Sequence, residues 1–265
     1  MVFSAFFLIS FFASVVGAIC GIGGGIIIKP VLDLFKLADI SVISFFSICT
    51  VLAMTSYSAA KTLISREGHV NIRLATPMAL GSVAGGILGQ RIFLLFRTIL
   101  PDPGRVGAVQ AVGLSLVTLG TLVYTLRKSS IRTLRLSGRF PCFLIGLFLG
   151  CVSNFLGIGG GPINLVALYY FFSLNTKEAV TTSLYLIFFG HVAGILSIVL
   201  TGSVPAFNPL SLAVMIAGGL GGGIAGSAIH RRIAERAVER LFIAVMVFII
   251  LIGIYNSAHY LGFAG

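Results

Sequence analysis

Apolar stretches follow one another along the chain with short polar gaps, at residues 3–35, 41–63, 74–96, 106–126, 140–172, 179–200, 209–229 and 241–260. Most hold about 20 residues, the length of a helix that crosses a bilayer. Two do not. Segments 3–35 and 140–172 each hold 33 residues, about 50 Å as one helix at 1.5 Å per residue. The hydrocarbon core is only about 30 Å thick. Each overlong segment also contains the same helix-breaking run, Gly21-Ile22-Gly23-Gly24-Gly25 in the first and Gly157-Ile158-Gly159-Gly160-Gly161 in the second.

The two runs lie 136 residues apart, and the same shift aligns much around them. Phe7, Leu8, Ile9, Phe12 and Val16 fall on Phe143, Leu144, Ile145, Phe148 and Val152. Ile27, Leu32 and Phe35 fall on Ile163, Leu168 and Phe171, Ser47 on Ser183, and Gly85-Gly86 on Gly221-Gly222. The chain reads as a tandem duplication, with a first repeat over 1–127, a basic linker over 128–137 and a second repeat over 138–265. Internal repeats of this kind are a signature of transporter folds.

Composition sharpens the class. Apolar residues make up 57% of the 265 and charged residues only 9%, against roughly 25% charged in a soluble domain. The mean hydropathy is +1.09. So few charges cannot coat a water-soluble surface, and so apolar a chain is not disordered. The N-terminus lacks the basic region of a secretory signal, so the first segment reads as retained in the membrane. Cys20, Cys49, Cys142 and Cys151 lie in apolar surroundings without Cys-x-x-Cys spacing, so they read as buried thiols rather than a metal or redox site. No cofactor is implied.

The net charge of +11 comes from 18 Lys+Arg and 7 Asp+Glu. In a soluble protein that would suggest nucleic acid, but here it bears on orientation. If all eight segments cross, the 17 cations other than Lys29 divide eight to nine between the two faces. Suppose instead that each long segment dips in, turns at its Gly run and returns. Then Lys36, Arg91, Arg97 and Arg105 occupy one face and the other thirteen the opposite face. That split obeys the positive-inside rule. It puts both termini outside and the linker in the cytoplasm. The fold expected is therefore an all-α polytopic membrane protein of two inverted repeats, each a Gly-broken re-entrant helical hairpin plus three transmembrane helices. A single broken, tilted helix in place of each hairpin is the other arrangement of 3–35 and 140–172.

Irregular backbone at membrane depth is tolerated only inside protein or against a water-filled cavity. Each Gly run lets a ligand approach the main chain and opens a helix, near Ile26 or Pro162, whose free N–H groups and positive dipole favour an anion. Close helix crossing is the alternative use of such glycines. It is the reading for the four-residue spacing of Gly81, Gly85 and Gly89, and of Gly222 and Gly226. The two Gly-x-Gly-Gly-Gly runs, each opening one half of a small eight-segment membrane protein, resemble the TauE/SafE sulfite exporter family, also called the toluene sulfonate uptake permease family. Thr182-Ser183-Leu184 after the second run is similar to a Thr-Ser-Leu often seen there, whereas the first half has Phe46-Ser47-Ile48. The resemblance implies transport of sulfite, sulfonates or related sulfur-containing acids.

The candidate substrate-binding residues are Gly21, Gly23, Gly24 and Gly25, and Gly157, Gly159, Gly160 and Gly161, with Lys29, Ser47, Thr50, Asn154, Asn164, Thr182 and Ser183. Lys29 is a cation within an apolar run, costly there and a candidate to neutralise an anion. Snorkelling, or pairing with Asp33 at i+4, is its alternative role. Asn154 and Asn164 flank the second run and need partners in a membrane. The hydroxyls equally bond helix carbonyls. His191, mid-segment, is the candidate proton carrier.

The expected function is alternating-access transport of a small sulfur-containing anion around the paired glycine runs. A passive anion channel, or a transporter of a non-sulfur organic anion, is the competing reading. An intramembrane enzyme built on Cys20 and His191 lacks a legible acid–base set. The expected partners are the anion, the lipid bilayer and protons. A homodimer is compatible with the sequence, and no nucleic acid is expected. The expected location is the cell membrane, plasma or inner.

Overall fold

A computed structural model of the chain describes residues 2–35, 37–65, 71–100, 102–158 and 160–260. Ten α-helices follow one another: α1 Val2–Cys20, α2 Gly25–Leu34, α3 Ile40–Ser65, α4 Ile72–Ile99, α5 Pro103–Arg127, α6 Arg139–Leu156, α7 Gly161–Phe172, α8 Thr176–Leu200, α9 Pro209–Arg232 and α10 Glu235–Tyr260. No strand occurs among the described residues. All but α2 and α7 are long and apolar enough to cross a membrane. The protein is an all-helical, multi-pass membrane protein. The overlong segments are the ones that break, giving α1–α2 and α6–α7.

The helices reach past the apolar stretches to polar caps. Asn71 accepts from the Arg73 N–H at 3.2 Å, Asp102 from the Gly104 N–H at 2.9 Å and Asn208 from the Leu210 N–H at 2.9 Å. Asn175 and Glu178 form a reciprocal capping box at the start of α8. These side chains supply acceptors that the first N–H groups of a helix lack. Pro103, Pro162 and Pro209 sit in first turns, where a missing N–H loses nothing.

The breaks need glycine. Gly21 and Gly157 adopt φ +72° and +65°, the left-handed region that a side chain disfavours. Gly157 ends α6 in this conformation, and its N–H donates to the Asn154 carbonyl at 3.2 Å. At the first break the chain turns so that Gly24 lies against Ala13 and Gly17 of the helix it has just left. Ile27 and Val31 of α2 then line one lipid-side groove with Val16 and Leu8 of α1.

Packing relates the two halves in pairs. Helix α6 lies along α4, and α1 along α9. The shift of 136 converts one pair into the other. The same holds for α4 with α8 and α9 with α3. Each first helix therefore packs on the opposite half. Glycine makes this possible: a Cβ on Gly85 would sit 2.0 Å from the Leu147 carbonyl oxygen, and one on Gly222 2.3 Å from that of Phe11. Gly81, Gly89 and Gly226 are equally close to a facing backbone, as the close-packing reading of their spacing expects.

Polar contacts also sort the connections by end. Leu134 and Leu136 of the linker donate backbone N–H groups to Tyr170 and Phe171 at 2.9 and 2.6 Å. The linker that precedes α6 thus meets the C-terminal end of α7. Lys128 pairs with Glu239, which also accepts from the Thr176 hydroxyl. The linker and the starts of α8 and α10 therefore share one end. Ser41, Arg97, Ser203 and Pro205 line one cleft, so the starts of α3 and of the α8–α9 connection share the other with the end of α4.

Candidate functional site

The two glycine runs meet in the middle of the bundle. The Gly161 N–H donates to the Ile22 carbonyl at 3.1 Å. Reciprocally, a Cβ on Gly25 would sit 2.7 Å from the Ile158 carbonyl oxygen. Hydroxyls from α8 and α3 hold the first run in place. Ser183 of α8 donates to the Gly21 carbonyl at 2.6 Å, and Ser47 of α3 to that of Gly25 at 3.4 Å. Ser47 and Ser183 lie 136 positions apart, the spacing of the two glycine runs, and both act on the run of the first half.

The broken helices end inside the protein, where their last carbonyls need partners. Lys29, 4% exposed, projects from α2 and donates to the Leu156 carbonyl at the end of α6 at 3.0 Å. Its second bond, at 2.5 Å, is to the side-chain oxygen of Gln110 on α5. The Gln110 amide then donates to the Phe155 carbonyl at 2.8 Å. A cation at the negative end of a helix is electrostatically favourable. At the end of α1 the His230 ring nitrogen Nδ1 lies 2.7 Å from the Ile19 carbonyl oxygen. Each break is therefore closed by side chains from other helices.

The remaining candidate residues are distributed as follows. Gly23 takes φ +70° within the first break, Gly24 precedes α2, and Gly160, at φ +96°, packs on Ile187 of α8. Gly159 lies outside the described residues. Asn154 donates its amide to the carbonyls of Gly150 and Gly190 at 3.1 and 3.4 Å, which leaves its oxygen Oδ1 buried without a hydrogen-bond partner among the described residues. Asn164 also has an oxygen in that state, as does Thr50, packed against Gly219 of α9. Thr182 is buried. His191 is 1% exposed, and both ring nitrogens lack such a partner.

A cleft reaches this centre from the end that carries Arg97. It is lined by Ser44, Gln90, Gln110, Asn154 and Gly157, with no Asp or Glu among the described residues of its lining. As a whole it leaves room for about one water molecule. At the other end a smaller cavity beneath the Lys128–Glu239 pair touches Cys20, Tyr169 and Thr176, and the Lys128 ammonium lies 5.1 Å from the centre of the Tyr169 ring. The sequence reading did not single out Ser44, Gln90, Gln110 or His230. Gln90 and Gln110 are the chain's two glutamines, both within apolar segments. The rule that flagged Asn154 and Asn164, that buried amides need partners, applies to them equally.

A sequence model of the sulfite exporter TauE/SafE family matches residues 6–253 of the chain. The chain belongs to the TauE/SafE family. The match takes in both glycine breaks and all ten helices in whole or part. A curated relative, "Probable membrane transporter protein YunE" of Bacillus subtilis (strain 168), is 25% identical over 240 residues, covering 80% of this chain and 84% of the relative. No solved structure matches. As a TauE/SafE protein with eight membrane-length helices, the chain is a membrane transporter. The family is one of membrane exporters rather than an enzyme class.

Proposed function

We propose that this TauE/SafE protein carries a small sulfur-containing anion across the cell membrane by alternating access around its two glycine breaks. The observation that carries the reading is the convergence of the two runs, from opposite halves, at one buried point beside Lys29. The family's description as sulfite exporters supports the substrate class. One end has a polar cleft reaching to Gly157, while Lys128 and Glu239 pair across the other. That asymmetry suits a carrier open to one side better than a continuous channel.

On this reading α1–α2 and α6–α7 are re-entrant hairpins. Support comes from the linker bonded to the end of α7 and from the shared cleft mouth of Arg97 and Ser203. With the linker in the cytoplasm, the cleft faces outward, as the distribution of cations favours. His191, buried and without a hydrogen-bond partner among the described residues, is the place for proton coupling.

The test is a binding screen of purified protein against sulfite, sulfate, thiosulfate, sulfonates and carboxylates. Saturable binding of a sulfur anion is expected, weakened by Gly160→Ala. Binding confined to carboxylates would move the substrate outside sulfur chemistry.

A further inference from the structure

We propose that the linker between α5 and α6 is a seat for the headgroup of an anionic phospholipid, with Arg132, Arg135 and Arg139 as its phosphate contacts. The seat requires only that the chain spans the membrane, whatever it carries. Three observations lead there. The first is uncompensated charge. The three arginines are exposed, and their side chains have no ion-pair or hydrogen-bond partner among the described residues. No Asp or Glu occurs in the sequence between Asp102 and Glu178. Other cations of this end already have a use. Arg127 lies in the last turn of α5, and Arg231 and Arg232 in that of α9, where the helix dipole favours a cation. Lys128 pairs with Glu239. Arg139 stands the other way round. It opens α6, at the positive end of the dipole, with neither an acidic residue nor a side-chain cap in that turn. A cation is disfavoured there until an anion joins it.

The second is a backbone already fixed. The Leu134 and Leu136 N–H groups are bonded to the end of α7, and the Thr133 hydroxyl is bonded to that of Ser173. Arg135, between the two bonded leucines, takes φ +50°. The linker is therefore held on the end of α7 without any help from its arginines. A ligand has only their side chains to order, which lowers the entropy lost on binding.

The third is apolar surface beside the charge. Leu134 is 51% exposed and Phe140 71%, next in sequence to Arg135 and Arg139. A free phosphate has no use for them. A phospholipid does, because its acyl chains cover leucine and phenylalanine while its phosphate meets the guanidinium groups. The planar fork of arginine matches phosphate oxygens, and a basic segment beside a membrane helix is drawn to an anionic lipid surface.

The test uses spin-labelled phosphatidylglycerol and phosphatidylcholine, each added to the full-length protein in phosphatidylcholine vesicles. Electron paramagnetic resonance reads the fraction of each label immobilised on the protein. Phosphatidylglycerol should be preferred roughly fivefold at low salt, about the ratio that one arginine near the surface supplies. The preference should fade in about 1 M sodium chloride, where charges are screened within a few ångströms. The triple variant Arg132→Gln, Arg135→Gln, Arg139→Gln should bring the two labels near parity. The variant Arg231→Gln, Arg232→Gln, Arg236→Gln removes the same charge from the same end and should keep most of the preference. Equal association of the two lipids with the wild type, or equal loss in the two triple variants, overturns the seat. Sodium phosphate should compete no better than sodium chloride of the same ionic strength. Stronger competition would make the ligand a free phosphate and overturn the lipid assignment.

Discussion

Lys29 stands where a helix ends inside a membrane protein. Its ammonium meets the carbonyl of Leu156, and Gln110 couples it to Phe155. The sequence reading weighed an anion partner against snorkelling or pairing with Asp33. What the residue also does, capping a helix 127 positions away, has no local signature. Lys29→Met should lower stability by about 1–3 kcal/mol, because a buried carbonyl loses its donor and Gln110 loses its cation. Denaturant unfolding in detergent would measure it, and wild-type stability would show the cap to be dispensable. Glycine offers a paired test. Gly85→Ala would press a methyl to 2.0 Å from a backbone oxygen, whereas Gly120→Ala meets nothing within 4 Å. The first should cost about 1–3 kcal/mol and the second should be neutral or stabilising by up to ~1 kcal/mol. The four-residue glycine spacing was legible because it repeats along one helix face. The hydroxyls and amides were only half legible: sequence flags them as buried and polar, but their partners come from other helices.

At the scale of elements, the breaks were legible because length and bilayer thickness conflict in just two segments. The helix ends were less so. The apolar stretch 106–126 becomes Pro103–Arg127, and 209–229 becomes Pro209–Arg232. In each case a polar N-cap sets the start and basic residues complete the last turn. Another pairing invisible in sequence joins Lys128, beyond α5, to Glu239 in the first turns of α10. If that pair closes the linker end, Glu239→Gln should loosen it. Cys20, fully buried and lining the cavity beneath, should then react severalfold faster with a membrane-impermeant thiol reagent applied from the linker side. An unchanged rate would mean that the pair only braces α10.

At the scale of the molecule, identities at a shift of 136 are what suggest a duplication. The way the halves interlock could not be read that way. Each first helix packs on the far half, α6 on α4 and α1 on α9, and nothing in a repeat unit says which copy it will meet. The two glycine runs touch as a result of that exchange. The proposed hairpin topology draws on the same arrangement. Arg97 and Ser203 share a cleft mouth, which an eight-crossing chain would place on opposite faces. Cysteines introduced at Thr98 and Ser203 should therefore label from one side of the membrane, and one at Arg132 from the other. Labelling of Thr98→Cys and Ser203→Cys from opposite sides would refute the hairpins. The central claim, a carrier with one anion site at the crossing of the glycine breaks, is met most directly by counter-flow. Proteoliposomes loaded with unlabelled sulfite should accumulate labelled sulfite transiently and saturably, and Gly160→Ala should suppress the exchange. Flux that rises linearly with concentration, shows no counter-flow and is indifferent to Gly160→Ala would contradict it.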